Sequence, residues 1–242
     1  MNIVDIVILG VLVFGLLAGI YKGFITSALS TVGFFGAWFG ALAIGPSVAN
    51  MALSNTSLMG TLSQYLEPAS FFANAQQATQ TVTEVVSGGE SAIQAAVSAV
   101  NQKISVIGSA FEANIRNQAF ANLNISTLSD YLDQTIWQAV FNVLAFLLAF
   151  LILYAVISLV INLLDHVICF PVVRTFDGLL GGLFGLVRGL IVAILLLSLV
   201  PSIITLVSPE VVDQLIGGSS LYKFIMQLDF VGVSKTIARL IG

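Results

Sequence analysis

Four long stretches of the chain lack charge almost completely and are built from Val, Leu, Ile, Phe, Ala and Gly. They run over Ile3–Ile20, Phe24–Gly45, Ala139–Leu164 and Leu179–Val207. About 20 apolar residues cross the hydrocarbon of a bilayer as a helix, and a charge at its centre costs roughly 2.5 to 3.5 kcal/mol. The pattern predicts an all-α membrane protein with four transmembrane helices, the second of which ends before Pro46.

The fourth stretch is longer than the hydrocarbon requires, and it contains Arg188 and Pro201. Two arrangements fit this length. Either one long tilted helix carries Arg188 at depth, or residues 178–187 lie near the interface and the span begins at about Arg188, whose side chain then extends to the headgroups.

Between the second and third stretches, residues 50–138 form a polar insertion rich in Gln, Asn, Thr and Ser. The insertion holds six acidic residues against Lys103 and Arg116, so the net charge of −4 resides in it. Its apolar residues recur at helical spacing, and the Gly88–Gly89 pair predicts a turn. We expect a small antiparallel helical subdomain that packs on itself, on a partner subunit or on the membrane surface.

Three apolar stripes support this prediction. Each stripe has apolar residues three or four positions apart and predicts one helix. The first stripe lies in the middle of the insertion, the second follows Pro68, and the third leads directly into the third span. The members of the three stripes are, in order, Ile93, Val97, Val100, Ile104, Ile107, Phe111 and Ile115; Phe71, Phe72, Ala75, Ala78, Val82 and Val85; and Leu128, Leu132 and Ile136.

The chain divides into a first transmembrane hairpin (1–49), the insertion (50–138), a second hairpin (139–207) and an amphipathic tail (208–242). The tail segments are too short to span, so interfacial helices are expected there. Basic residues favour the cytoplasmic side of short loops. Lys22 in the first turn, and Arg174 with His166 in the last, predict that both turns are cytoplasmic and that the insertion and both termini are extracytoplasmic.

Glycines recur every four residues within the spans, which lets another backbone approach closely. The candidate helix-packing positions are Gly15, Gly19, Gly23, Gly36, Gly40, Gly181, Gly185 and Gly189. Packing within one four-helix unit, contacts between subunits and the lining of a pore all fit this spacing. The segments 19–23 and 185–189 also share a pattern of Gly, two apolar residues, a cation and Gly. An internal duplication would place Lys22 and Arg188 at the same membrane level.

Four of the charged residues that border or interrupt the spans are candidate sites: Asp5, Lys22, Asp177 and Arg188. Asp5 and Arg188 fit interfacial anchoring or a polar role in an ion path. They are expected at opposite interfaces and so do not pair. Asp177 occupies the position of a helix N-cap for the fourth span, where it would accept free backbone N–H groups.

The sequence offers few parts for catalysis. A single cysteine, Cys169, excludes an intrachain disulfide framework, and a single histidine, His166, excludes a His-clustered metal site. His166 fits an interfacial side chain or a proton shuttle, and Cys169 an inert or an acylated thiol. The negative net charge disfavours nucleic acid as a partner. We therefore expect no catalytic residue, metal or cofactor.

Three segments together resemble the bacterial colicin V production protein family: residues 2–8 (NIVDIVI), 19–24 (GIYKGF) and 176–190 (FDGLLGGLFGLVRGL). The resemblance implies a multi-pass protein of the bacterial plasma membrane, needed for colicin V production and linked to envelope robustness, with no established enzymatic activity. It transfers no catalytic residues. The matching positions are Asp5, Gly19, Lys22, Gly23, Asp177, Gly181, Gly185, Arg188 and Gly189.

We therefore expect a non-enzymatic accessory in toxin production or export and in envelope integrity. The expected partners are the lipid bilayer and either a second copy of the chain or other envelope proteins. The alternative is an oligomeric channel or small-solute transporter whose glycine faces form the seams between helices.

Overall fold

A computed structural model describes residues 2–165, 174–207, 212, 216–228 and 232–241. Its α-helices are α1 (Ile3–Lys22), α2 (Phe24–Leu53), α3 (Thr56–Leu62), α4 (Ala75–Thr79), α5 (Val82–Ser87), α6 (Glu90–Asn101), α7 (Ser105–Arg116), α8 (Leu128–Asp165), α9 (Arg174–Val207), α10 (Ser220–Gln227) and α11 (Val233–Ile241). Four of these, α1, α2, α8 and α9, are long and apolar enough to cross a membrane. The predicted all-α fold with four spans is confirmed.

The predicted end of the second span before Pro46 is wrong, because α2 continues through this proline to Leu53. Proline removes one backbone donor, and transmembrane helices tolerate this loss when neighbouring structure holds the turn. Ala49, beyond the proline, is 1% exposed. Packing of the later turns thus stabilises the helix past the break that the sequence suggests.

The four spans lie side by side in the order α1, α9, α2, α8. α1 packs mainly along α9, α9 also packs along α2, and α2 packs along α8. The inner helices are accordingly the more buried: 44% of the most apolar window of α9 and 39% of that of α2 are buried, against 22% for α1 and 28% for α8. Helices adjacent in sequence are therefore not the main packing partners in either half of the protein.

An aromatic cluster fills the contact between α2 and α8. The ring centroids of Phe34 and Phe150 are 5.1 Å apart, and so are those of Trp38 and Phe146. Both pairs meet edge to face, the arrangement that brings a positive ring edge to a negative ring face. Tyr154 extends this cluster by stacking on Phe150 at 5.9 Å. The cluster fixes how α8 lies against α2.

The insertion is helical, and its buried apolar residues join the same core as those of the spans. All seven residues of the stripe 93–115 are buried, but they do not lie on one helix as predicted. α6 ends at Asn101 and α7 begins at Ser105. The two helices pack antiparallel, with Gln94 beside Glu112 and Glu90 beside Arg116. The break leaves the buried positions in phase, which is why spacing alone does not reveal it.

The other two stripes have different outcomes. Residues 71–85 form three short elements, a 3-10 turn over Pro68–Phe71 followed by α4 and α5, rather than one helix. The turn at Gly88–Gly89 is confirmed, since α5 ends there and Gly89 has φ of +76°. The third stripe also holds, because the first turns of α8 pack on α7 and continue unbroken into the membrane span.

The helices of the tail pack on the protein. α10 contacts α1 and α9, while α11 contacts α7, α8 and α9. Ile225, Val233 and Ile237 are each at most 2% exposed. The apolar faces that suggested interfacial helices therefore lie at least partly against other helices of the same chain.

Candidate functional site

Glycines let α1 and α9 approach each other closely. A β-carbon added to Gly15 would lie 2.6 Å from the carbonyl oxygen of Gly185, which is closer than real atoms approach. One added to Gly19 would overlap the carbonyl oxygen of Gly181. The predicted helix-packing positions Gly15, Gly19, Gly181 and Gly185, together with Gly189, thus face one another within a single chain. Close packing of this kind drives association where lipid supplies no hydrophobic force.

The predicted packing glycines of α2 differ in how closely they approach α8. A β-carbon on Gly40 would lie 2.8 Å from Leu153 Cδ1, whereas one on Gly36 would meet only Ile157 Cδ1 at 3.8 Å, an ordinary contact. Both meet side chains, which can move, rather than backbone. On its other side α2 is joined to α9 by a hydrogen bond of 2.9 Å from the Ser27 hydroxyl to the Gly181 carbonyl.

The register of α1 and α9 fixes the level of Arg188 in the membrane. A β-carbon on the adjacent Gly189 would lie 3.2 Å from the Val11 carbonyl oxygen and 3.6 Å from Leu12 Cα. These residues are at the middle of α1, whereas Lys22 ends that helix. Arg188 therefore lies near mid-span on one continuous helix, and the equal level of Lys22 and Arg188 suggested by a duplication is wrong.

The Arg188 side chain is half-buried and reaches across to α8. One of its terminal nitrogens donates a hydrogen bond of 3.3 Å to the Tyr154 hydroxyl. Tyr154 is itself held by the aromatic cluster, through Phe34 at 5.9 Å and Phe150 at the same distance. Asp5 bonds to Asn2, Ser219 and Leu221 rather than to Arg188, but the expected placement of Arg188 at the opposite interface is wrong, because it lies near mid-span. The tyrosine partner was not among the predicted site residues.

An open groove of about 620 Å³ runs along α8 beside Tyr154, and all the residues that line it belong to α8. Apolar side chains form most of its lining, but Tyr154, Ser158 and Asn162 contribute three polar groups at intervals of four residues. Their spacing puts them on one face of the helix. This regular polar spacing in an otherwise apolar span is the signal by which the sequence could have disclosed the groove.

Asp177 caps a helix, but not the one predicted. α9 begins at Arg174, so Asp177 lies in its first turn rather than at its N-cap. Its Oδ1 accepts a hydrogen bond of 2.8 Å from the backbone N–H of Phe24, the first residue of α2. The carboxylate is thus close to the positive ends of two helices, which stabilise negative charge.

Asp5 joins the start of α1 to the tail. The residue is 4% exposed. Its Oδ2 accepts a hydrogen bond of 2.9 Å from the backbone of Asn2, while Oδ1 accepts bonds of 2.5 Å from the Ser219 hydroxyl and 3.2 Å from the backbone N–H of Leu221. The carboxylate therefore caps both α1 and α10. The role of Ser219 needed the tertiary structure, because 214 residues separate the two side chains.

An ion pair joins the two helices of the insertion. Arg116 contacts Glu90 at 2.5 Å and Glu112 at 2.7 Å. Hydrogen bonds from Arg116, and then from Gln94, lower the pKa of Glu90 from 4.5 to about 2. Both groups are substantially exposed, so the pair orients α6 against α7 rather than forming a buried charged site.

The predicted residues His166 and Cys169 lie outside the described residues. Within the described ranges, no group of three or more His, Cys, Asp or Glu side chains is arranged to hold a metal ion. In the spans the structure brings Arg188 to the Tyr154 hydroxyl, which accepts its hydrogen bond, and brings backbone N–H groups to the carboxylates of Asp5 and Asp177 at helix ends.

The sequence profile described as Colicin V production protein matches residues 4–88 and 97–229. The chain belongs to this family. The match confirms the resemblance and covers all four spans, most of the insertion and much of the tail. The colicin V production family is not a known enzyme family. No curated protein matches the chain, and no solved structure does.

Proposed function

We propose that this colicin V production family protein is a non-enzymatic accessory of the bacterial plasma membrane, which supports the production or export of a toxin peptide and the integrity of the envelope. Family membership supplies the biological context. The observation that carries the proposal is α8, a single helix of 38 residues that begins in the insertion and continues without a break through its membrane span. At about 57 Å it is nearly twice as long as the hydrocarbon is thick.

A helix of this length couples the insertion rigidly to the membrane unit. Leu128 and Leu132 are fully buried in the insertion, while Phe146 and Phe150 are buried against α2. At the junction the Asn114 amide donates hydrogen bonds of 3.0 Å to Thr135 and Gln138 of α8. In our proposal the insertion is an extracytoplasmic platform for envelope partners, held at a fixed orientation by this helix.

The test is complementation. A bacterium that carries the colicin V system and lacks its own family member is given this chain, and toxin release is measured as growth inhibition of a sensitive strain. Growth under detergent stress measures envelope integrity. We expect the chain to restore both. As a matched variant, Asn114→Ala should accumulate in the membrane yet restore less, because the junction loses its hydrogen bonds. Full accumulation of the wild-type chain without either effect contradicts the proposal.

A second candidate function is an oligomeric channel or small-solute transporter. Arg188 near mid-span favours it, since ionisable residues at this depth mark ion or substrate paths in many membrane proteins. Purified protein in liposomes distinguishes the two functions. The accessory role predicts no flux of ions or solutes. Reproducible flux that Arg188→Ala alters, and that Lys235→Ala on α11 leaves unchanged, supports the channel instead.

A further inference from the structure

Arg188 carries a positive charge for which the described part of the chain provides no carboxylate. The ion pairs among those residues belong to Arg116 in the insertion. Among the described residues, the hydrogen-bond partner of the Arg188 side chain is the Tyr154 hydroxyl, which is neutral. A guanidinium has five N–H donors, and the contact with Tyr154 engages one of them. A bound anion would offset the cost of holding the charge at this depth.

Polar side chains lead along α8 from near its end to Tyr154, the hydrogen-bond partner of Arg188. Asn162, Ser158 and Tyr154 line the same groove and are successive at four-residue spacing. They extend over about 12 Å along the helix. Each carries a hydroxyl or amide group, and such groups can donate hydrogen bonds to the oxygens of an anion. At the other end of the spans, α11 contacts both α8 and α9.

We propose that Arg188 and Tyr154 form an intramembrane binding site for a phosphate-type oxyanion, reached along Asn162 and Ser158. The guanidinium would bind two oxygens of the anion in its planar fork, the geometry in which arginine recognises phosphate. The Tyr154 hydroxyl accepts from Arg188 and can donate its own proton to a third oxygen. The groove beside Tyr154 is open along one face of α8, so it offers a path to the site rather than an enclosed pocket. This site goes beyond the accessory role and does not depend on it.

Two sources carry this chemistry, a phospholipid headgroup drawn along the groove and inorganic phosphate from water. The first arm of the experiment uses the full-length protein in uncharged detergent with added phosphatidylglycerol. Native mass spectrometry counts the bound lipids after repeated washing. The second arm titrates the delipidated protein with inorganic phosphate by calorimetry. We expect the wild-type protein to bind the ligand of one arm. Retained phosphatidylglycerol identifies a lipid headgroup as the source, and binding in the titration identifies inorganic phosphate.

Three variants assign the binding to this site. Arg188→Gln should weaken binding about tenfold or more, because a charge-assisted bidentate contact is lost. Tyr154→Phe removes only a hydroxyl and should weaken binding by a few fold. Lys235→Gln is the control, because it makes the same change of charge on an exposed residue of α11. It should bind as wild type does.

Comparison of the variants by size-exclusion chromatography shows whether each remains folded. If Arg188→Gln fails to fold, Tyr154→Phe and Arg188→Lys test the same site with smaller changes, and weakened binding in both supports it. Equal binding by wild type, Arg188→Gln and Tyr154→Phe in both arms overturns the site. So does the absence of binding by wild type in both arms.

Discussion

Asp177 on α9 accepts a hydrogen bond of 2.8 Å from the backbone N–H of Phe24, although 153 residues separate the two. This hydrogen bond lies at the turn between α1 and α2. Gly23 makes this turn with φ of +77°, and a β-carbon there would overlap the Asp177 carboxylate. One carboxylate therefore joins the beginning of α2 to the beginning of α9, and glycine leaves room for it.

Removal of this cap should destabilise the spans. Asp177→Ala is expected to lower the free energy of unfolding by about 1 kcal/mol, the usual cost of losing a helix cap. Asp177→Asn should lose less, because its amide oxygen can still accept from Phe24. Thermal unfolding in detergent measures both. Glu67→Gln is a control for the loss of an acidic charge, since Glu67 is exposed. An unchanged midpoint for Asp177→Ala would contradict the capping role.

Substitution of Gly19 should separate α1 from α9. Gly19→Leu places a bulky side chain against the backbone of α9, so we expect a lower unfolding temperature and less folded protein in the membrane. Gly10→Leu, on the same helix, is the matched control, because a β-carbon there has no neighbour within 4 Å. Size-exclusion chromatography and thermal unfolding compare the two variants. Equal effects of Gly19→Leu and Gly10→Leu would count against the packing assignment.

The contact between Asp5 and Ser219 should hold the tail on the membrane unit. Asp5→Ala removes a charged acceptor and is expected to speed cleavage of residues 208–242 by limited proteolysis about tenfold. Ser219→Ala should act in the same direction. Because each variant breaks the same hydrogen bond, the double variant should show much less than the product of the single effects. Independent, multiplicative effects would mean that the two side chains do not act together.

The insertion should weaken in acid through Glu90. The pKa of Glu90 is lowered to about 2 in the folded protein, from an ordinary value of 4.5. The ion pair therefore stabilises the fold above pH 4.5, and this contribution is lost as the pH falls towards 2. Glu90→Gln should be less stable than wild type at neutral pH, with the difference vanishing near pH 2. A difference that persists at pH 2 would assign the effect to something other than charge.

The proposed orientation can be tested by labelling. Ser91 and Ser109 are exposed on the insertion. Single cysteines placed there, in a Cys169→Ser background, should react with a membrane-impermeant thiol reagent in intact cells that have a permeable outer layer. A cysteine at Tyr21, an exposed residue at the end of α1 beside the turn into α2, should react only after lysis. The opposite pattern would reverse the topology.

Several boundaries were visible in the sequence and others were not. The gaps between charges located the four spans, because charge is excluded from hydrocarbon regardless of how the helices are arranged. The break between α6 and α7 stayed hidden, since their buried residues keep one period across it. Pro46 led to a wrong prediction, because proline is a local signal for a helix end. In the folded protein, the packing of later turns keeps α2 helical beyond it.

The sequence by itself determined that the chain is a four-span helical protein, which faces of its helices are small, and which family it resembles. Only the tertiary structure decided which helices meet: α1 with α9, α2 with α8, Asp177 with Phe24, and Arg188 with Tyr154. In lipid every apolar face is equally well solvated, so hydrophobicity selects the spans but not their neighbours. Neighbours are chosen by shape and by the few polar groups, and both act between residues far apart in the chain.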